Sequence, residues 1–154
     1  MKKILITFFA VLFCLTSSIG WSLDYKDLVQ RDGLFYKKFT DVPFTGQVTG
    51  EEKGLFKNGK KEGSFFKYYK NGQLWSKGNF KNNKKEGSWI VYFNNGQIFS
   101  KGKYKIGRPD GYWVMYDEGG TIVDAMTGMW KDGYPISDKN FFQLSHSSNL
   151  QSNL

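Results

Sequence analysis

The stretch Gly54-Leu-Phe-Lys-Asn-Gly-Lys-Lys-Glu-Gly63-Ser-Phe-Phe-Lys-Tyr-Tyr-Lys-Asn-Gly72-Gln-Leu-Trp-Ser-Lys77 is followed by two further versions of itself. The second begins at Gly78 and the third at Gly102, each 24 residues after the one before. Gly63, Gly87 and Gly111 hold one phase, and Gly72, Gly96 and Gly120 another. Phe65, Trp89 and Trp113 recur in step, as do Phe56, Phe80 and Tyr104, Tyr68, Tyr92 and Tyr116, and Leu74, Ile98 and Ile122. Chance does not align three glycines and three aromatics at once, so the chain is a repeat array.

Turn chemistry sets the secondary structure of the unit. Asn71-Gly72 and Asn95-Gly96 lie between aromatic-rich runs, the signature of a hairpin with a type I′ turn, and Gly119-Gly120 can do the same. Strands are predicted over 64–69, 88–93 and 112–116, and over 73–81, 97–105 and 121–131. The connections 58–63, 82–87 and 106–111 read as longer polar loops. The many glycines argue against helices. The expected architecture is all-β: an elongated single-layer antiparallel meander with two strands per 24-residue unit, held by aromatic rings stacked across strands. Glycines at fixed phase let large rings lie against the backbone.

The ends depart from the pattern, as the ends of a stack must. Phe44-Thr45-Gly46-Gln47-Val48 and Thr127-Gly128-Met129-Trp130 resemble unit starts. The third unit is two residues longer than the others, and the extra pair falls within 121–127, where a bulge or longer turn is expected. The chain divides into a signal peptide at 1–22, an N-terminal capping segment with a partial repeat at 23–53, the repeat domain at 54–137 and a polar tail at 138–154. Phe141-Phe142 is the one part of the tail suited to docking on the last strand.

Lys2 and Lys3 precede an apolar run from Ile4 to Leu15, followed by small polar residues. That is the pattern of an export signal, and the run is shorter than the roughly 20 residues a spanning helix needs. Cleavage after Gly20 or after Ser22 puts small residues at the required positions, and an uncleaved anchor is the lesser alternative. Export implies a periplasmic or secreted location. The single cysteine, Cys14, lies in that run after Phe13, which does not suit lipidation. The mature chain then has neither a disulfide nor a thiolate metal site.

The formal net charge is +8. The basic residues are spread through the repeats and not gathered on one helix, which favours acidic proteins, anionic lipid or envelope polymers over nucleic acid. Lys60, Lys61, Lys84, Lys85 and Arg108 stack in phase and would form a basic edge. Exposed rows of rings, Trp89 and Trp113 or Tyr68, Tyr92 and Tyr116, would offer a second binding surface, unless they are the core of so thin a fold.

Catalytic chemistry finds no constellation. His146 is the sole histidine and sits in the polar tail, which excludes multi-histidine metal sites and argues against a triad. Glu62, Glu86 and Asp110 recur before a glycine and read as turn residues, not as paired acid–base carboxylates. No glycine-rich phosphate loop opens a helix. No catalytic residue, metal or cofactor is expected.

The pattern Gly-x-[Phe/Tyr]-Lys, five residues, Gly-x-[Phe/Trp]-x-x-Tyr-x-x-x-Gly-x-[Leu/Ile] resembles the MORN repeat in its bacterial variant form. The segment 27–50, with Arg31-Asp32-Gly33-Leu34 and Pro43-Phe44-Thr45-Gly46, is similar to the start of bacterial YwqK-type proteins, antitoxin components of toxin–antitoxin systems. The resemblance covers about residues 24–138 and implies a non-enzymatic module that binds a protein, with an antitoxin or immunity-like role against a toxin. An antitoxin against a cytoplasmic toxin would stay in the cytoplasm, so for an exported chain either the antitoxin role does not carry over or the partner is met in the envelope. The alternative reading is an envelope-associated protein that touches anionic lipid or polymer through its basic loops.

Overall fold

The computed structural model describes residues 22–136. The apolar N-terminal run expected to be an export signal, the tail segment with Phe141-Phe142, and His146 lie outside the described residues. Thirteen strands are found among those described. The N-terminal part contains β1 (Leu23–Asp24), β2 (Leu28–Arg31) and β3 (Leu34–Lys37). The array follows as β4 (Gly46–Thr49), β5 (Glu52–Lys57), β6 (Lys60–Tyr68), β7 (Leu74–Lys81), β8 (Lys84–Tyr92) and β9 (Ile98–Lys105). It closes with β10 (Arg108–Pro109), β11 (Gly111–Met115), β12 (Gly128–Lys131) and β13 (Tyr134–Ile136). From β4 onward neighbouring strands pair antiparallel in chain order, with β9 taking both β10 and β11, so the sheet is an open run of hairpins. The one parallel pairing is β1 on β4, and β2–β3 form a separate hairpin. The expected all-β meander is the observed fold.

The turns are distributed differently from the sequence expectation. The tight two-residue turns are Asn58-Gly59, Asn82-Asn83 and Ile106-Gly107 in the full units and Asp32-Gly33 and Asp132-Gly133 at the ends, with both residues of each at positive φ. That is the backbone of a type I′ turn, whose twist matches that of the flanking strands. The last four residues of the first two expected polar loops are therefore strand: Lys60–Gly63 and Lys84–Gly87 belong to β6 and β8. The turns also bond to one another. The Asn83 N–H donates to the Lys61 carbonyl at 3.1 Å, Gly107 to Lys85 at 2.9 Å, and Gly133 to Pro109 at 2.9 Å.

At Asn71-Gly72 only the glycine has positive φ, and the same is true at Asn95-Gly96 and Gly119-Gly120. These are three-residue loops. Tyr69 N–H bonds to the Gln73 carbonyl and Gly72 N–H to the Tyr69 carbonyl, with the same pair of bonds between Phe93, Gly96 and Gln97. The Asn71 side-chain oxygen then accepts from the Gln73 N–H at 3.0 Å, an Asx turn that explains the asparagine. The third unit also departs from its expected strand at 121–131. A single 3-10 turn, Asp124–Met126, occupies the place of the two extra residues, and strand resumes only at Gly128.

The centre of one face, here called the inner face, is a row in which a ring lies over a glycine of the neighbouring strand. Phe65 lies over Gly54, Trp89 over Gly78 and Trp113 over Gly102. A Cβ at Gly78 would stand 2.3 Å from the Trp89 indole, so the absence of a side chain there is what admits the ring. Rings of adjacent rows meet edge to face: Phe56–Phe65 at 5.5 Å, Phe65–Phe80 at 5.1 Å, Phe80–Trp89 at 5.3 Å, Trp89–Tyr104 at 5.9 Å and Tyr104–Trp113 at 5.1 Å between centroids. Each such pair contributes about 0.5–1.5 kcal/mol beyond area burial. Phe56, Phe65, Trp89 and Trp113 are buried by this zipper, although the sheet is a single layer over most of its length.

At its first end the inner face is covered. The β2–β3 hairpin and Tyr25 pack on Val48, Phe56 and Phe65, with Leu28, Phe35 and Phe44 around them. Phe35 N–H donates to the Gly59 carbonyl, and Gly59 N–H to the Phe44 carbonyl, each at 2.8 Å. This cap shields the first strands of an array that could not bury its own end.

Ile106 stands out among the turn residues, since a β-branched side chain at φ 51 is strained. The two earlier units place Asn58 and Asn82 there. Ile106→Asn is expected to stabilise the protein by about 1 kcal/mol, because a left-handed L-residue costs roughly 1–2 kcal/mol and asparagine recovers part of it. Thermal unfolding checks this: the midpoint should rise by a few degrees, and a fall would contradict the strain argument.

Candidate functional site

Strand alternation sends neighbouring side chains to opposite faces. The five basic residues expected to form one edge are therefore divided. Lys60, Lys84 and Arg108 are exposed on the outer face, whereas Lys61 and Lys85 turn onto the aromatic inner face. The physical reason is the short turn: with strand running up to Lys60, the pair Lys60-Lys61 straddles the sheet.

The outer residues gain partners that sequence reading missed. Lys57 stands directly opposite Lys60, Lys81 opposite Lys84, and Lys105 opposite Arg108. All six are exposed, and among the described residues none makes an ion pair. Glu62 and Glu86 are close in sequence but occupied. Their carboxylates accept the Asn82 N–H at 3.0 Å and the Ile106 N–H at 2.8 Å, holding the next turn in place. That is the turn role expected of them. Asp110, in the same phase, instead meets the Lys131 ammonium at 3.3 Å.

A second basic row crosses the outer face. Lys53, Phe66, Lys77, Ile90 and Lys101 are successive cross-strand partners, with Val114 after them. The three lysines recur every second strand, about 9.6 Å apart from the usual strand spacing. Each lies over a tyrosine of the candidate set: Lys53 over Tyr68 at 4.8 Å, Lys77 over Tyr92 at 5.8 Å and Lys101 over Tyr116 at 5.4 Å. The tyrosines thus support a row of cations and do not form a bare aromatic strip. The signal for this was legible as the phase of Lys53, Lys77 and Lys101, each just before a repeat glycine.

Trp89 and Trp113 are each only 4% exposed. Their indole N–H groups donate to the Asn79 and Lys103 carbonyls at 3.1 Å. They are core, and their faces are spent on neighbouring rings.

On the inner face Lys61 is held by Glu52, with side-chain exposures of 12% and 10%. Lys67 reaches the other oxygen of Glu52 at 3.4 Å. Lys85 lies 4.4 Å from the Trp89 ring centroid and 4.8 Å from that of Tyr104. Burial pushes its ammonium below the usual lysine range, and the charges of Lys61 and Lys67 push the same way. Burial also raises the Tyr104 hydroxyl. In the third unit the corresponding position is Pro109, so this inward cation is present in two units only.

Among the described residues, no group of three or more His, Cys, Asp or Glu converges as a metal site would require. No curated protein matches the chain. Residues 61–82 and 85–105 match the family described as the MORN repeat variant. Those two stretches hold most of the second strand of one unit and the first of the next, so the match falls on the β6–β9 centre of the sheet. The central units of this chain are similar to MORN repeats, non-catalytic repeats that generally serve as protein- or membrane-binding modules.

Proposed function

We propose that this chain is a non-catalytic binding module that engages an anionic surface, lipid headgroups or an envelope polymer, through its outer face. The observation that carries the reading is the recurrence of like-charged pairs, Lys57–Lys60, Lys81–Lys84 and Lys105–Arg108. Like charges set directly opposite on a sheet are destabilising, by an amount on the order of the 0.2–1 kcal/mol that a favourable pair contributes. Three successive hairpins bear that cost, and an external anion is what relieves it. The Lys53–Lys77–Lys101 row extends the same face, with Phe66 and Ile90 between the charges as apolar contacts. Export by the N-terminal segment would bring this face before the envelope, and is part of the proposal.

Co-sedimentation with vesicles tests it. The protein should bind phosphatidylglycerol vesicles and leave phosphatidylcholine vesicles unbound. Binding should be lost between about 0.1 M and 1 M salt, where the Debye length falls from about 10 Å to about 3 Å. The triple variant Lys60→Gln/Lys84→Gln/Arg108→Gln should bind about a hundredfold more weakly, at about 1 kcal/mol per charge. Equal binding to neutral vesicles, or an unchanged triple variant, would sink the reading. An anionic envelope polymer that displaces the vesicles would identify polymer as the source of the charge.

A protein partner is the second reading, supported by the apolar side chains interleaved with the lysines and by the resemblance of segment 27–50 to antitoxin components. Its antitoxin form has its own test. The adjacent gene expressed alone should arrest growth, and co-expression of this chain should restore it.

A further inference from the structure

The inner face has an opening where the N-terminal cap ends. A cleft of about 220 Å³ lies there, walled by Phe80 and Trp89 and bordered by Glu52, Lys61, Lys67 and Lys85. Its charges do not balance. Lys61 and Lys67 share the single carboxylate of Glu52. Lys85 has no acidic partner within 4.0 Å among the described residues. A half-buried ammonium held only by ring faces is an uncommon expense in a small protein, since burial without an anion disfavours the charged form. The Lys85 ammonium is depressed for that reason, and an incoming anion would restore it.

Size narrows the ligand. A cavity of about 150 Å³ accommodates benzene, whereas drug-sized ligands need roughly 300–1,000 Å³. The cleft therefore suits a compact molecule with one flat apolar body. Charge narrows it further: Lys61 and Lys67 are tied to Glu52, and Lys85 is the bordering ammonium with no acidic partner among the described residues, so it is the point where an anionic group would seat. We propose that this cleft binds a small organic carboxylate, its carboxylate on the Lys85 ammonium and its apolar body against Phe80 and Trp89. The site is on the opposite face from the basic pairs, so it stands or falls independently of the surface reading above.

Benzoate is the probe, titrated into the full chain and followed by tryptophan fluorescence. Saturable quenching is expected at a dissociation constant of millimolar order, about −4 kcal/mol. Benzyl alcohol, which keeps the ring and lacks the charge, should bind at least about tenfold more weakly, the factor that 1.4 kcal/mol supplies. Lys85→Met keeps the stem over Trp89 and removes the charge, and should lose benzoate to the same degree. Lys70→Met, at an exposed loop position outside the cleft, should bind as the parent does. The proposal is overturned if benzoate does not saturate at tens of millimolar. It is overturned equally if benzyl alcohol binds as well, if Lys85→Met is unchanged, or if phenyl phosphate binds more tightly than benzoate. The comparison of benzoate with benzyl alcohol needs no variant, so a misfolded Lys85→Met leaves it decisive.

Discussion

Trp89→Ala is expected to cost about 3–5 kcal/mol, the range for removing a buried tryptophan or phenylalanine. The ring is 4% exposed, meets Phe80 and Tyr104 edge to face, lies over Gly78, and donates to the Asn79 carbonyl. Its loss opens the middle of the zipper and leaves that carbonyl without its partner. A domain of ordinary stability, about 5–15 kcal/mol, would lose a large part of its margin. Because each unit contacts only its neighbours, the break also uncouples the units on either side. Urea denaturation should show the midpoint lowered by about 2 M, taking a slope of about 2 kcal/mol/M. Trp75→Ala is the control, since Trp75 is 38% exposed. If both variants shift the midpoint alike, the zipper is not what holds the sheet.

Gly102→Ala is the second large effect, and it comes from adding atoms. A Cβ there would stand 2.2 Å from Cδ2 and 2.4 Å from Cε2 of Trp113. The indole cannot move aside cheaply, because its N–H is bonded to the Lys103 carbonyl and its edge meets Tyr104. Overpacking of this kind costs about 1–3 kcal/mol and more where nothing yields. Gly128→Ala is the matched control: it pairs with the same tryptophan from the other side, but an added Cβ there has no atom within 4 Å. Thermal melts of the two variants should differ clearly, with Gly128→Ala close to the parent. The double variant Gly102→Ala/Trp113→Leu should be more stable than the sum of the single changes, since the clash disappears with the ring. Additive losses would show that the glycine is needed for some other reason.

Much of this fold was legible in the residues themselves. The 24-residue phase of glycine and aromatic residues specifies strands, their number per unit and the ring-over-glycine contact, because a periodic sequence can bury its rings only by stacking like on like. The acidic phase at Glu62 and Glu86 marks the turns, and each carboxylate bonds the turn of the next unit. What misled was the dipeptide Asn-Gly, which occurs at both Asn58-Gly59 and Asn71-Gly72. One is a two-residue turn and the other a three-residue loop, and the difference lies in which strand residues pair around them. That register is a property of the assembled sheet. Ile106-Gly107 could not be recognised as a turn of the first kind, since isoleucine avoids the conformation it is given there.

The candidate site divides along the same line. By itself the sequence determined that basic residues recur in phase and that no catalytic set accompanies them. Only the tertiary structure decided which face each one takes. A shift of one residue in where a strand ends sends a lysine from one side of a sheet to the other. Lys60 therefore joins Lys57 on the outer face, while Lys61 and Lys85 lie among the rings of the inner one. The same chemical residue thus becomes surface charge in one case and a half-buried ammonium in the other, because strand pairing, and not residue type, sets what surrounds it.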